Sequence, residues 1–277
     1  MSLFLNTVDL MKIVDAHIHI WQSGTPRKAH RQMPYSAREV LKDMDLAGVN
    51  AAIIQPPAWD PQSNQIAIEA AKQYPTRFGI LGNFSLDAPD RLDILKNWKQ
   101  TPNMLGLRYI LNDPIHLTWM QGNELDWLWS TAQDGSIPIA IAASSHLQVF
   151  ATIAKRYPSL KLIIDHLGVP LDATGDAAFL QMPTLLDLAK FPNIAIKATA
   201  VPAYAKDAYP YKSIESYIKL IYQAFGPHRF FWGSDITKLN CTWKQCIELF
   251  TEEYDWIGQE EKELVMGQAL LNWLDWQ

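Results

Sequence analysis

The sequence predicts an α/β protein built as a (β/α)8 TIM barrel. Short runs of apolar and β-branched residues recur about eight times along the 277 residues, and an amphipathic segment follows each run. Strands that alternate with helices pair in parallel, and strands that are apolar almost throughout are buried on both faces. About eight such units make up one barrel of this kind. Because no G-x-G-x-x-G follows the first run, a doubly wound open sheet is the less favoured alternative.

The predicted strands are spaced so that a helix fits between each pair. In chain order they are Val14–Ile20, Ala51–Gln55, Phe78–Asn83, Leu105–Leu111, Ile137–Ala142, Leu160–Asp165, Ile194–Ala198 and Phe230–Ser234.

Residues that cap or stop helices mark several boundaries between these strands. Ser36 and Glu39 have the spacing of a capping box, and the helix they begin is expected to end at Gly48. A second helix is predicted over 64–73, and another ends at Arg156. Each of these two is followed by Tyr-Pro, which stops a helix.

No shift in composition marks a linker, so we predict one TIM-barrel domain over residues 12–277 with helices after Tyr254. Residues 1–11 are predicted to be a leader that is extra to this domain or disordered. They lack the basic start and the apolar stretch of a signal peptide.

Composition excludes several classes of protein. Hydrophobic residues make up 48% of the chain and charged residues 19%, which is typical of a globular protein. The net charge of -5 and the lack of Lys/Arg clusters argue against nucleic-acid binding. No apolar run reaches the length of a membrane span. The two cysteines, Cys241 and Cys246, are predicted to be reduced thiols, which favours a cytoplasmic location.

Functional side chains of such a barrel gather where the carboxyl ends of its strands meet. His17 and His19 are two residues apart on the first predicted strand, so both fall on the same face of it. The ends of other strands carry further candidates, namely Arg108, Tyr109, Asp165, His166, Lys197, Ser234 and Asp235.

Each candidate also has a structural interpretation. Asp165 is predicted to cap the following helix, and Arg108 fits a surface ion pair as well as a binding role. Lys197 is harder to explain in this way, because a buried ammonium group needs a partner. Three histidines and an aspartate at strand ends nevertheless favour a functional site. The other histidines are expected at the surface or at helix starts; they are His30, His116, His146 and His228.

Four of these residues resemble the pattern of the amidohydrolase superfamily: His17, His19, His166 and Asp235. More narrowly, D-A-H-I-H-I-W, L-G-L-R-Y-I-L, I-I-D-H-L-G-V-P and W-G-S-D together resemble the branch that contains sugar lactonases and 2-pyrone-4,6-dicarboxylate lactonase. The resemblance covers nearly the whole chain from Lys12. It implies a hydrolase that opens the cyclic ester of a sugar acid lactone or of a pyrone or muconolactone carboxylate.

The chain departs from the wider family pattern in ways that bear on metal binding. The fourth strand has no lysine to bridge two metals, so no binuclear centre is expected, and the fifth has no histidine. The resemblance leaves His17, His19 and Asp235 as ligands for one divalent ion, with Zn²⁺ favoured. Because the branch includes enzymes that work without metal, we expect this ion to be dispensable. No nucleotide cofactor is expected.

The resemblance also implies roles in lactone opening. Asp235 is the expected base for the attacking water. His17, His19 and His166 are expected to polarise the carbonyl group, either directly as hydrogen-bond donors or through a shared metal ion that acts as a Lewis acid. The residues expected to bind the substrate are Arg108, Lys197, Tyr109 and Trp21, the two aromatic ones as an apolar wall.

Two alternatives remain beside the lactonase. One is a decarboxylase of an aromatic or unsaturated acid, and the other is a barrel that binds a small metabolite without catalysis. In each case the partner is a small molecule. The aromatic tail Trp273–Trp276 is expected to form either a homo-oligomer interface or a plug under the barrel.

Overall fold

Eight parallel strands form one sheet in the order β1 to β8, which confirms the predicted (β/α)8 architecture. The computed structural model describes residues 11–277, so the predicted leader lies outside the described residues apart from Met11. The strands are β1 (Val14–Ile18), β2 (Ala51–Ile54), β3 (Phe78–Gly82), β4 (Met104–Ile110), β5 (Ile139–Ala142), β6 (Leu162–Ile164), β7 (Ile194–Ala198) and β8 (Phe230–Trp232).

Helices follow the strands on the outside of the sheet. They are α1 (Ala37–Ala47), α2 (Ser63–Gln73), α3 (Arg91–Lys96), α4 (Pro114–Gln121), α5 (Asp126–Asp134), α6 (Val149–Arg156), α7 (Met182–Leu188), α8 (Lys212–Phe225), α9 (Trp243–Glu248), α10 (Gln259–Glu263) and α11 (Ala269–Leu274). The predicted capping box of α1 is confirmed, since the Ser36 side chain accepts a hydrogen bond from the Glu39 amide. Gly48 ends this helix with a φ of 82°, where glycine is favoured.

Side chains of the strands divide into two apolar layers. On β2, Ala51 and Ile53 pack with the cluster inside the barrel, whereas Ala52 and Ile54 belong to the layer beneath the helices. This alternation follows from the two-residue period of a strand. The inner cluster also contains Val14, Ala16, Leu81, Ala140, Ile163, Ala195 and Phe231.

A bulge in β1 interrupts the alternation. Asp15 pairs with Ala52, but Ile18 pairs with Ile54, so β1 has one more residue than β2 over this stretch. Ala16 therefore lies in the inner cluster while Ile18 lies in the outer one. A bulge re-aims the side chains that follow it. Here it turns His17 and His19 toward the inside of the barrel.

The seam between β8 and β1 is closed differently from the other seams. Within residues 11–277, ladders join consecutive strands from β1 to β8, but none joins β8 to β1. Instead the Ser234 amide donates to Asp15 Oδ1 at 2.9 Å, and the Asp235 amide donates to the His17 carbonyl at 2.9 Å. The Asp15 carboxylate also accepts from the His17 amide and from Trp243 Nε1, each at 2.9 Å.

The C-terminal helix α11 covers the amino-terminal end of the barrel. Leu270, Leu271 and Leu274 pack in the same cluster as the inner strand residues, and so does Trp276. Of the two expected roles of the aromatic tail, the structure therefore supports the plug. In the stretch from 11 to 277 there is no helix with the length and apolarity to cross a bilayer.

Candidate active site

The two histidines of β1 meet at their imidazole rings. The Nε2 atoms of His17 and His19 are 3.3 Å apart. His19 Nδ1 lies 2.6 Å from the carbonyl oxygen of Gln55, and a carbonyl only accepts, so Nδ1 carries the ring proton. The Nε2 of neutral His19 is therefore left with a lone pair that faces His17 and Asp235.

His166 and Asp235 reach the same place from the ends of β6 and β8. Both residues lie in the left-handed region, with φ values of 56° and 50°. Backbone of this kind is common at functional sites, and here it occurs where the chain leaves each strand. Asp235 Oδ1 is 3.6 Å from His19 Nε2, and the ring centroids of His17 and His166 are 4.7 Å apart. The structure thus brings the four predicted residues together.

Burial sets the charge state of this cluster. It lowers the pKa of His17 and His19 well below the ordinary histidine value, and that of His166 to about 3. All three are therefore neutral at pH 7. Burial also raises the pKa of Asp235 to about 7, although the charges of Lys238 and Arg108 oppose this rise. A carboxylate with such a pKa both accepts and returns a proton near neutral pH.

The cluster also fits a divalent metal ion. The ligand atoms of His17, His19 and Asp235 lie within 4.8 Å of one another. Asp235 Oδ1 is buried without a hydrogen-bond partner among the described residues. Two imidazole nitrogens and a carboxylate oxygen are a donor set that zinc and similar ions accept. A second possible group, His17 with Asp165 and His166, is less suitable because Asp165 is engaged elsewhere.

Asp165 forms a buried ion-pair triad, so the predicted helix cap is wrong. Its Oδ2 lies 2.8 Å from Arg108 Nε, and its Oδ1 lies 2.9 Å from Lys197 Nζ. Burial alone would raise the pKa of Asp165, but the two cations outweigh it and hold the pKa well below its usual range. The signal for this residue was present in the sequence, because two cations on apolar strands need a buried anion.

A cavity opens above the cluster at the carboxyl ends of the strands. His19, His166 and Asp235 line it, as does Arg108, whereas His17 is fully buried and does not. Arg108 uses its Nε for Asp165, so its outer guanidinium nitrogens remain for a substrate.

Three residues expected to bind substrate do not line this cavity. Tyr109 follows Arg108 on β4, so it faces outward and packs against Phe84 with ring centroids 6.3 Å apart. Trp21 is fully buried, and Lys197 lies behind Asp165 with its side chain completely covered. These placements follow from strand alternation and from the demand for a counter-ion.

Two aromatic rings take the wall position instead. Trp59 and His30 line the cavity, with ring centroids 5.0 Å apart, and His30 lies 5.4 Å from the ring of His19. Both come from loops, whose course strand periodicity does not reveal. The expectation that His30 is merely a surface or capping residue is therefore wrong. His146 is also buried, away from the cavity, with Nε2 3.1 Å from the Asp113 carbonyl.

Comparisons with known proteins support the family that the sequence resembles. Residues 14–268 match the model of the amidohydrolase family. The L-fucono-1,5-lactonase of Burkholderia ambifaria is 22% identical over 232 residues, which cover 80% of this chain and 79% of that protein.

Solved structures share the fold. An amidohydrolase from Burkholderia multivorans with bound zinc superposes with a TM-score of 0.82 and 18% identity, over 96% of this chain and 100% of that one. A probable 2-pyrone-4,6-dicarboxylic acid hydrolase from Acinetobacter baumannii, with citric acid bound, gives a TM-score of 0.76 and 16% identity over the same shares.

Proposed function

This chain belongs to the amidohydrolase family, and we propose that it is a hydrolase that opens lactones with a water molecule activated by Asp235. The observation that carries this proposal is the buried Asp235 carboxylate, whose pKa is raised to about 7, beside three neutral imidazoles at the floor of a cavity. The similarity to a lactonase supports the same reaction.

In the first step Asp235 accepts a proton from water while the water oxygen bonds to the ester carbon. The carbonyl oxygen then carries the negative charge, and donors placed at that oxygen stabilise it. Arg108 supplies such donors through its outer nitrogens. His166 supplies another when the Thr199 hydroxyl, 2.7 Å away, donates to its Nδ1, because the ring proton then sits on Nε2.

In the second step the bond between the ester carbon and the ring oxygen breaks. The departing alkoxide takes the proton that Asp235 holds, which restores the carboxylate. The product is one hydroxy acid, and no redox partner is needed. The Asp165 triad holds Arg108 in place throughout, since Asp165 is itself held by Lys197.

We also propose that one divalent ion, zinc first, binds to His17, His19 and Asp235. When bound, such an ion acts as a Lewis acid toward the ester carbonyl. Asp235, Arg108 and His166 supply a base and donors of their own, so we propose that the ion is dispensable for turnover.

Asp235→Asn tests the proposed base. Measured on a panel of lactones with a pH indicator, this substitution should lower kcat about 10²-fold or more, the usual loss when a general base is removed. Asp187→Asn is the matched control, because Asp187 is an exposed aspartate in an ion pair with Lys190. If Asp235→Asn turns over every lactone substrate at the wild-type rate, the base assignment is lost.

Adding aromatic acids to the panel and measuring carbon dioxide addresses the other two functions. Release of carbon dioxide from these acids, without lactone opening, would indicate a decarboxylase. Binding of a lactone or an aromatic acid without turnover would indicate a non-catalytic barrel. The decarboxylase is less favoured because β5 contains no histidine. The non-catalytic barrel is less favoured because the base Asp235 lies in one cavity with the donors Arg108 and His166.

A further inference from the structure

We infer that the lactone taken by this site carries a carboxylate group, which Arg27 and Lys238 bind at the mouth of the cavity. This inference rests on the proposed lactonase function and names the class of lactone. Arg27 and Lys238 are called the cation pair below.

Two loops bring the cation pair to one side of the mouth. Arg27 lies in the loop between β1 and α1, and Lys238 ends a short helix between β8 and α9. Both residues line the cavity above Asp235. The loops are joined at Thr237, whose carbonyl accepts from the Arg31 amide at 2.6 Å and whose hydroxyl lies 3.0 Å from His30 Nδ1. The two cations are therefore held on a fixed rim.

The cation pair has charge that the surrounding protein does not neutralise. Among residues 11–277, neither Arg27 nor Lys238 forms an ion pair with a carboxylate. Asp172 lies on the same rim and is exposed, but within this range it makes no ion pair with either cation. Unpaired cations of this kind, at the entrance of a cleft, attract and bind anions.

Charge inside the cavity points the same way. The Asp165 charge is already shared by Arg108 and Lys197. Adding the cation pair gives four cations against the carboxylates of Asp165 and Asp235, and the count still exceeds the carboxylates by one when Asp172 is included.

Position relative to the reacting groups completes the case. The Lys238 amide donates to the Asp235 carbonyl at 2.9 Å and both residues line the cavity, so Lys238 lies near the ester that the water activated by Asp235 would attack. A carboxylate on the same small ring as the ester can then reach Lys238 while the ester carbon faces Asp235. Guanidinium and ammonium groups form charge-assisted hydrogen bonds with carboxylates, about twice as strong as neutral ones.

A matched pair of lactones tests the inference. D-Glucaro-1,4-lactone and D-glucono-1,4-lactone differ in one group, a carboxylate in place of a hydroxymethyl. Wild-type protein should prefer the carboxylate form. Arg27→Met and Lys238→Met should each lower the ratio of the two kcat/KM values about tenfold, mainly through KM, because a charge-assisted contact contributes about that factor. Lys238→Arg, which keeps the charge, should restore most of the ratio.

Lys155→Met is the matched control, because Lys155 is an exposed lysine in the last turn of α6, at the other end of the barrel. It should leave the ratio unchanged. If the Met variants of the cation pair slow both lactones equally, the two cations act only through Asp235 and the inference is overturned. A wild-type preference for the neutral lactone also overturns it.

The lactonase function and the cation pair can fail separately. If neither lactone is opened, the proposed function fails on that panel, and calorimetric titration with succinate decides the cation pair. Succinate binding that weakens about tenfold in each Met variant, but not in Lys155→Met, supports the pair. Absence of succinate binding to the wild-type protein, or binding that the variants do not change, overturns it.

Discussion

At the level of single residues, the hydrogen bond from His19 to the Gln55 carbonyl decides what the H-x-H pair can do. With Nδ1 protonated, neutral His19 has no proton on Nε2. It therefore cannot donate to a carbonyl oxygen, which removes direct donation as a way for His19 to polarise the substrate. Its lone pair instead suits a cation, and a backbone acceptor behind a metal-binding histidine is the usual arrangement.

Metal content tests this conclusion about His19. His19→Ala should lower the zinc content after loading at least tenfold, as measured by elemental analysis, because one of three ligands is removed. His228→Ala, a change of an exposed histidine, should leave it unchanged. Dialysis against a chelator should empty the wild-type site and leave kcat/KM within about twofold of the loaded protein. Complete loss of turnover in the metal-free protein, restored by zinc, would contradict a dispensable ion.

Asp165 is the second residue with a testable role. Asp165→Asn leaves the buried Arg108 and Lys197 side chains without an anion, and breaking a buried pair costs about 3–5 kcal/mol. Urea unfolding should show this loss in the free energy of unfolding. Asp187→Asn breaks the exposed ion pair with Lys190 and should have little effect. A stable Asp165→Asn variant would show that the triad is not needed to compensate the two cations.

At the level of elements, the bulge of β1 and the seam between β8 and β1 are both held by Asp15. One buried carboxylate accepts from the amide inside the bulge, from an amide at the end of β8, and from the indole of Trp243. The strand that carries the histidines and the strand that leads to Asp235 are thus joined through one side chain. The geometry of the cluster depends on this joint.

Substitutions of Asp15 should separate its hydrogen bonds. Asp15→Ala leaves three buried donors unsatisfied and should cost about 3 kcal/mol or more in the free energy of unfolding. Asp15→Asn can still accept from the two amides, but its amide group would face the Trp243 donor, so an intermediate loss is expected. Trp243→Phe removes only the third bond and should cost the least. Equal stability of the three variants in urea unfolding would show that the seam does not depend on Asp15.

The strands and the four-residue cluster could be predicted from the sequence, whereas the bulge and the seam could not. Apolar runs and H-x-H spacing are local patterns, so they identify β1 and His17 directly. The bulge appears only when Asp15 and Ile18 are paired with β2, a contact far apart in the chain. The place of Trp59 in the cavity wall could not be predicted either, because it depends on the conformation of a loop.

At the level of the whole molecule, buried carboxyl and imidazole groups should decide how stability and activity change with pH. Burial raises the pKa of Asp15 to about 6 and of Asp235 to about 7, above the ordinary aspartate value of 3.8. Between these values the two carboxyls bind protons in the folded protein but not in the unfolded chain, so their contribution to the free energy of unfolding falls as pH rises from about 4 to 7. Burial lowers the pKa of four histidines, His17, His19, His30 and His166, which therefore bind protons only in the unfolded chain, so their contribution rises over the same range. Asp165 acts in the same direction as the histidines, since its lowered pKa makes its contribution disappear as the solution becomes acidic.

Because the four histidines outnumber the two raised carboxyls, we expect stability to rise from pH 4 to about 7, and activity to rise through about pH 7, as Asp235 ionises and becomes a base. Urea unfolding and kcat/KM, each measured from pH 4 to 9, check the two profiles. Asp235→Asn removes a group whose raised pKa costs stability as the pH approaches and passes 7, so the variant should gain stability relative to the wild-type protein between pH 4 and 8, while losing activity at every pH. If the difference in stability between the two proteins is the same at pH 4 and at pH 8, burial of the Asp235 charge does not contribute to the pH dependence of folding, because removing that charge would then have no pH-dependent effect.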